Sequence, residues 1–237
     1  MIIILLILLI LFILFQQNPE FTSRSSKYYD ILSKFSYVDE HGKIINHFEE
    51  EINEQEDALE YINSSDVVLE LGGRYGSVSV AIAHRQNNNG NLVVIEPDTS
   101  IISSLEANKK RNNANFTILN KYISNKNKQL IKAGYGSYLI DSNDPDSLSI
   151  TYEDFKNKYP LPFNVLVADC EGCLCEFIDT LGEDINGYNK ILFEADHKDK
   201  CNYNTLLRKL KTLGFEVVKN DSNFRYVLIK KIKVIKK

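Results

Sequence analysis

Short apolar runs alternate with amphipathic runs along most of the chain. The apolar runs are rich in Val, Ile and Leu and have the length of buried strands: VVLEL (67–71), NLVVIE (91–96), FTIL (116–119), FNVLVAD (163–169) and KILFEAD (190–196). The runs between them have the apolar spacing of helices: SVSVAIAHR, TSIISSLEANKKR, LCEFIDTL and YNTLLRKLKTLG. This alternation predicts an α/β fold with a doubly wound, mainly parallel sheet and helices on both faces.

The C-terminal pattern differs from the rest. FEVVK and FRYVLIKKI are separated only by the turn NDSN. A parallel return would need a crossover connection, so these two strands must be antiparallel to each other. We therefore expect one antiparallel strand near the C-terminal end of an otherwise parallel sheet.

The N-terminus is a separate segment. Residues 1–15, MIIILLILLILFILF, are unbroken hydrocarbon, which spans about 22 Å as a helix. This segment is shorter than a usual membrane span, which needs about 20 residues. A cleaved secretory signal would end in an A-x-A-like site, and none follows this segment. We predict that residues 1–16 form a hydrophobic helix that anchors the chain in a membrane. The sequence does not decide on which side of the membrane the domain lies, and the alternative interpretation of this segment is a secretory signal. Residues 17–36 are a predicted linker, and 37–237 a single domain that begins with a helical extension over 45–62.

Composition and net charge indicate a globular protein and argue against binding to nucleic acid. The chain is 43% hydrophobic and 25% charged, which is typical of a globular protein. Its net charge of −4 provides no basic field for a nucleic-acid backbone.

The four cysteines are too clustered for a disulfide scaffold. Cys173 and Cys175 would point about 200° apart on a helix and cannot share one zinc. Cys170 and Cys201 follow neighbouring strands and are able to pair if the domain faces an oxidising lumen.

A glycine-rich segment, ELGGRYG (70–76), turns the first strand into the first helix. Glycines let a ligand approach the main chain closely. Twenty residues after Gly76, Glu96 ends the second strand, where a carboxylate can accept hydrogen bonds from two ribose hydroxyls. Loop and acid together indicate an adenosine-type cofactor. Arg74 stands two residues after Gly72, where a dinucleotide fingerprint needs glycine, so an NAD-dependent oxidoreductase is disfavoured.

Three motifs in order, VVLELGGRYGSVSVAIA, VVIEPD and VLVADCEG, resemble those of the FkbM family of class I S-adenosylmethionine-dependent methyltransferases. That family has Asp/Glu-x-Gly-Ala-Asn-x-Gly after its first strand, then a Glu-Pro pair, then Asp-x-Glu-Gly-x-Glu. The similarity covers about residues 60–230. This chain departs from the pattern at Gly73 and Arg74, which replace Ala-Asn, and at Leu174, which replaces the second Glu. The resemblance implies a Rossmann-like methyltransferase sheet that binds S-adenosylmethionine.

The resemblance also implies two halves of a site. The cofactor half comprises Glu70, Gly72, Gly73, Gly76, Glu96, Pro97 and Asn120. The acceptor half lies over the fourth and fifth strand ends, where Asp169, Glu171 and Glu194 are the predicted catalytic residues. A carboxylate there can accept the proton of an acceptor hydroxyl or orient it. An alternative mechanism gathers Asp169, Glu194 and Asp196 around a Mg²⁺-type ion, while the adjoining His197 is equally readable as part of an exposed loop.

The implied reaction is methyl transfer to a hydroxyl of a sugar, a glycan or a small polyol-like acceptor. Nucleic acid is not an expected partner: an RNA 2′-O-methyltransferase would need a Lys near the fifth strand end, where this chain has Glu194. A base-amino DNA methyltransferase would need Asn/Asp-Pro-Pro-Tyr/Phe after the fourth strand, where this chain has DCEG. The alternative from a different class is a catalytically silent, membrane-tethered binding protein with the same fold.

Overall fold

The strands at the centre of the molecule are short and buried over their whole length. Every residue of Val68–Leu71, Leu92–Ile95 and Val165–Ala168 is buried. Strands of this kind are covered on both faces, as parallel strands are when helices pack above and below them. The apolar runs of the sequence are therefore explained by burial on two sides of one sheet.

The computed structural model describes residues 27–46, 51–133, 136–144, 148–221 and 224–231. The predicted N-terminal hydrophobic helix, residues 1–16, and most of the predicted linker, residues 17–36, lie outside these ranges. Among the described residues, no helix is long and apolar enough to cross a membrane.

Seven strands form the main sheet. They are β3 Val68–Leu71, β4 Leu92–Ile95, β5 Thr117–Leu119, β10 Val165–Ala168, β11 Lys190–Glu194, β12 Phe215–Asn220 and β13 Arg225–Lys230. Their order across the sheet is β12-β13-β11-β10-β3-β4-β5. Within this sheet the first strand in chain order is β3, and β4 and β5 follow it outward to one edge. The chain then returns to β10, which lies on the other side of β3. The strand order reverses between β3 and β10, and open parallel sheets bind ligands at such a point, beyond the carboxyl ends of the strands.

Helices and short strand pairs surround this sheet. The helices are α1 Tyr29–Leu32, α2 Ile52–Tyr61, α3 Ser77–Arg85, α4 Ile102–Arg111, α5 Tyr152–Lys158, α6 Leu174–Leu181 and α7 Tyr203–Thr212, with a 3₁₀ turn at Gly182–Gly187. The pairs are β1 Tyr37–Val38 with β2 Ile44–Ile45, β6 Tyr122–Ile123 with β9 Ser149–Ile150, and β7 Lys128–Ala133 with β8 Gly136–Asp141.

Two apolar clusters cover the two faces of the sheet. Leu69 and Val93 point to the cluster that includes α6 and α7, whereas Val68 and Val94 point to the cluster that includes α2, α3 and α4. Side chains alternate along a strand, so a run of Val, Ile and Leu supplies both clusters at once. The predicted doubly wound, mainly parallel sheet is confirmed.

The C-terminal strands follow the predicted arrangement. β12 and β13 are antiparallel, and β13 is also antiparallel to β11. The other neighbours in the sheet pair in parallel. β12 therefore runs in the same direction as β11, and β13 alone is reversed in this sheet.

The predicted helical extension over 45–62 differs from the structure at its first residue, and residues 47–50 lie outside the described ranges. Ile45 lies in the β1–β2 hairpin, and the helix begins at Ile52. The hairpins β1–β2 and β7–β8 were not predicted either. Strands of two residues are too short to show a period, and β7–β8 lies in the stretch whose sequence has no regular pattern.

The pairing of Cys170 with Cys201, which the sequence left open, is not the one in the structure. Cys170 pairs with Cys173, and Cys175 pairs with Cys201, in both cases with Cα atoms 5.4 Å apart. Cys170 and Cys173 stand at the two ends of one tight turn, in which the Cys173 N–H donates to the Cys170 carbonyl oxygen over 3.2 Å. Cys175, one residue into α6, is left to reach Cys201 before α7. Cys173 and Cys175 take different partners, as expected for side chains that point apart.

The two bridges should contribute unequally to stability. Replacing Cys175 and Cys201 together by Ser lowers the free energy of unfolding by about 3 kcal/mol, because that bridge closes the longer loop, with a sequence separation of 26. The matched pair Cys170→Ser/Cys173→Ser, with a separation of 3, should cost only about 1–2 kcal/mol. Urea denaturation with and without reductant measures both. Equal losses, or a Cys170–Cys201 peptide in a non-reducing digest, would contradict the pairing.

Candidate active site

A pocket opens at the carboxyl ends of β3, β4, β10 and β11. Its floor is formed by the residues that follow these strands, including Gly72, Glu96, Asp169 and Glu194. The β7–β8 hairpin contributes Leu130, Ser137, Tyr138 and Leu139 to its wall, and α2 contributes Glu54 and Asp57. The pocket thus spans the point where the strand order reverses.

The loop after β3 is packed closely against both neighbouring strands. Gly72 has φ +89°, and a Cβ there would lie 1.8 Å from the carbonyl oxygen of Asp169. A Cβ on Gly73 would lie 2.3 Å from Cγ1 of Val94. Any larger residue would push the loop off β4 and β10. The glycines therefore set the distance between the two halves of the pocket.

Glu96 joins the loop after β3 to the loop after β4. One carboxylate oxygen accepts the backbone N–H of Arg74 over 2.7 Å, and the other accepts that of Asp98 over 2.7 Å. Burial raises the pKa of Glu96, and these two N–H groups oppose the shift. Each carboxylate oxygen has more than one acceptor site, so Glu96 can still accept hydroxyl groups from a ligand in the pocket.

Glu70 is a buried carboxyl group with an uncompensated oxygen. It lies in β3, is 2% exposed and lines the pocket, and its Oε2 has no hydrogen-bond partner among the residues that the structure describes. Burial raises the pKa of Glu70 to about 8, while the nearby Ser79 hydroxyl works in the opposite direction. A ligand in the pocket that carries a cation or a hydrogen-bond donor would give this oxygen a partner.

The other residues of the predicted cofactor half have different places. Pro97 lines the pocket beside Glu96. Gly76 caps the N-terminus of α3 behind the pocket wall, with φ +83°. The Asn120 side-chain amide donates to the carbonyl oxygen of Glu96 over 2.8 Å, and its Oδ1 accepts from Thr99. Gly76 and Asn120 thus hold the backbone around the pocket and do not line it.

The predicted catalytic acids Asp169, Glu171 and Glu194 all line the pocket. Burial, reinforced by Glu194 and Glu51, raises the pKa of Asp169 well above its ordinary value. Burial, reinforced by Glu54, raises the pKa of Glu194 to about 7. A carboxyl group with a pKa near neutrality can exchange a proton with a ligand at physiological pH.

Acidic side chains from α2 were missed by sequence reasoning. Glu51, just before α2, and Glu54 in α2 line the pocket together with Asp169 and Glu194, and both help to raise the pKa of Asp169. Asp57, one turn further on, faces Arg225 of β13 and bonds to Lys219. The signal was the spacing of three acids at i, i+3 and i+6, which places them on one face of a helix.

The loops after β10 and β11 meet beside the pocket. The Nε2 atom of His197 contacts a carboxylate oxygen of Glu171, and Asp196 accepts a hydrogen bond from the Tyr203 hydroxyl over 3.3 Å. Burial and the neighbouring Glu171 raise the pKa of Asp196 to about 6. Among the described residues, the ligand atoms grouped within 4.8 Å of one another belong to Glu171, Asp196 and His197. The predicted metal set shares only Asp196 with this group, since Asp169 and Glu194 lie outside it.

Sequence comparisons find no matching protein-family model and no matching curated protein. Solved structures do match. A ribosomal protein L11 methylase from Lactobacillus delbrueckii subsp. bulgaricus superposes with a TM-score of 0.50 and 11% identity over 84% of this chain and 83% of that one. A putative O-methyltransferase from Klebsiella pneumoniae gives a TM-score of 0.49 and 10% identity over 76% and 80%. With the sheet order above, the first match shows that the chain has the Rossmann-like fold of class I methyltransferases.

Proposed function

We propose that this protein is an S-adenosylmethionine-dependent O-methyltransferase. The observation that carries the proposal is the placement of Glu70 and Glu96 near the ends of adjacent strands, where both line one pocket and an oxygen of Glu70 has no hydrogen-bond partner within the described part of the chain. A ligand with two neighbouring hydroxyls at one end and a positive charge at the other would satisfy both carboxyl groups. S-adenosylmethionine is such a ligand.

Each residue of the cofactor half then has a defined role. Glu96 accepts the two ribose hydroxyls through its remaining acceptor sites. Glu70 faces the ammonium group of the methionine end, directly or through water, and Gly72 and Gly73 allow the main chain to approach it. When bound, S-adenosylmethionine supplies an electrophilic methyl group on a positively charged sulfur.

The acceptor half receives the hydroxyl group. Asp169 follows β10 and Glu194 ends β11, so both lie beside the cofactor half of the pocket, and their raised pKa values suit groups that take up a proton. As the new carbon–oxygen bond forms and the carbon–sulfur bond breaks, one of these carboxylates accepts the hydroxyl proton. The products are a methyl ether, S-adenosylhomocysteine and a proton later released to water.

The acceptor we propose is a sugar, a glycan or a small polyol-like molecule, as in the FkbM family that the three motifs resemble. Several carboxylates around one cavity can accept hydrogen bonds from several hydroxyls, whereas they would repel a phosphate backbone. We further propose that residues 1–16 anchor the protein in a membrane. Two disulfides fit a domain on the oxidising side of that membrane, or a secreted one.

Cofactor binding can be tested without knowledge of the acceptor. The full-length protein should bind S-adenosylhomocysteine in calorimetry and not NADH. Glu96→Ala should weaken binding roughly 10–100-fold, because charge-assisted hydrogen bonds to the ribose are lost. Glu106→Gln, an exposed acid on α4, is the matched control and should leave the affinity unchanged. No binding by the wild-type protein would exclude the proposed function.

Cofactor affinity should depend on pH through Glu70. With a pKa of about 8 in the free protein, Glu70 must lose a proton to face an ammonium group. Between pH 6 and 7.5, binding of S-adenosylhomocysteine therefore releases a proton, and the affinity rises by up to about tenfold per pH unit. Glu70→Gln should bind more weakly at pH 7.5 and show a flatter profile. An identical slope in wild type and variant would assign the proton to another group.

Substitutions in the acceptor half should lower the rate of methyl transfer without weakening cofactor binding. The labelled cofactor incubated with a panel of glycans and polyols identifies the acceptor. Asp169→Asn or Glu194→Gln should then lower the turnover rate roughly 10²–10⁴-fold and leave the affinity for S-adenosylhomocysteine within error of wild type. Binding of the cofactor without transfer to any acceptor would favour the catalytically silent alternative, and full activity of both variants would remove these residues from the proton transfer.

A further inference from the structure

Glu171, Asp196 and His197 form a group of metal-ligand side chains beside the pocket. One ligand atom from each lies within 4.8 Å of the other two. Ligands of one divalent ion sit about 2.0–2.6 Å from it, so they lie within about 5 Å of one another. The three side chains therefore fit around a single ion without rearrangement of the backbone.

Among the described residues, no lysine or arginine forms a salt bridge with the two acids of this group, Glu171 and Asp196. The two lysines of the same loop are turned to aromatic rings: the Nζ of Lys198 lies 3.6 Å from the centre of the Phe224 ring, and that of Lys200 lies 3.5 Å from the centre of the Tyr138 ring. Two adjacent carboxyl groups beside an imidazole thus face each other without a full countercharge.

The backbone holds the three ligands in a fixed arrangement. The turn that carries Glu171 is closed by the Cys170–Cys173 bridge. At its next residue, Gly172, a Cβ would lie only 3.0 Å from the Cβ of His197, so the two loops are in direct contact. The Cys175–Cys201 bridge ties the start of α6 to the end of the second loop. A site with ligands fixed in this way loses little conformational freedom when an ion binds.

We propose that Glu171, Asp196 and His197 bind one divalent transition-metal ion of the Mn²⁺ class. The imidazole ligand favours a transition-metal ion over Mg²⁺ and Ca²⁺, which prefer oxygen ligands alone, and the two carboxylates are ligands that suit Mn²⁺. Three protein ligands leave positions for water or substrate. Glu171 lines the pocket, so those positions lie at its acceptor end. The role of the ion there, to hold the acceptor oxygen and lower the pKa of its hydroxyl, rests on the proposed function.

Mn²⁺ alone is the probe, added to full-length protein that carries no histidine tag and has been treated with chelator. Loss of the free Mn²⁺ spectrum in electron paramagnetic resonance should show one ion bound per chain. Glu171→Gln, Asp196→Asn and His197→Ala should each weaken binding roughly tenfold or more. Asp199→Asn, which removes a charge from the same loop, and His41→Ala, which removes an exposed imidazole elsewhere, should bind as the wild type does.

A second readout identifies the ligands directly. Pulsed resonance of the Mn²⁺ complex should show a nitrogen coupling that disappears in His197→Ala and persists in His41→Ala. Binding that survives all three ligand substitutions, or Mn²⁺ that shows no coupled nitrogen, would overturn the site. Calorimetry with S-adenosylhomocysteine on the same samples separates the two proposals, because cofactor binding without a metal site contradicts only this one.

Discussion

The concentration of carboxyl groups at one end of the sheet is the constraint on which the rest of the structure depends. β3 carries Glu70 as its last residue but one, β4 and β10 are each followed directly by an acid, β11 ends at Glu194, and α2 adds Glu54 and Asp57 to the same pocket. Buried carboxylates repel each other and lose their hydration, so several of them hold raised pKa values, such as about 8 for Glu70 and about 7 for Glu194. Between its ordinary value of 4.5 and 8, the folded protein keeps the Glu70 proton that the unfolded chain releases. The free protein is therefore less stable as the pH rises, and a cationic ligand relieves that cost.

The buried guanidinium group of Arg225 offsets part of the repulsion between these carboxyl groups. It is 5% exposed and stands opposite Glu194 in the register of β13 with β11. Its guanidinium group pairs with Asp221 and lies 3.4 Å from Glu54. The reversed strand thus brings a fixed cation from the C-terminal part of the chain to the acids of α2. β13, which is reversed in this sheet, thus supplies Arg225 to the pocket and also pairs with the edge strand β12.

The sequence was sufficient for the features that depend on local chemistry. Fully buried strands such as β3 and β10 follow from runs of branched apolar residues, and the loop with Gly72 follows from the backbone freedom that only glycine offers. The placement of Glu96 follows from the strand that precedes it. What could not be predicted depends on which loops meet. The approach of Glu54 to the pocket and the contact of Glu171 with His197 are set by packing between segments far apart in the chain. The Cys170–Cys173 bridge depends on the shape of one short turn, which the sequence pattern does not specify.

The two halves of the pocket are held together by different means, and this difference bears on how the site can vary. The cofactor half is fixed by hydrogen bonds of the main chain to Glu96 and by the close contact of Gly72 with β10, so most substitutions there would disturb the sheet itself. The acceptor half lies on two loops that disulfides brace from outside the sheet. Cross-links of this kind let loop residues change while the backbone keeps its position. A fold that must keep one cofactor and accept different substrates needs that separation, because only the second half has to match the acceptor.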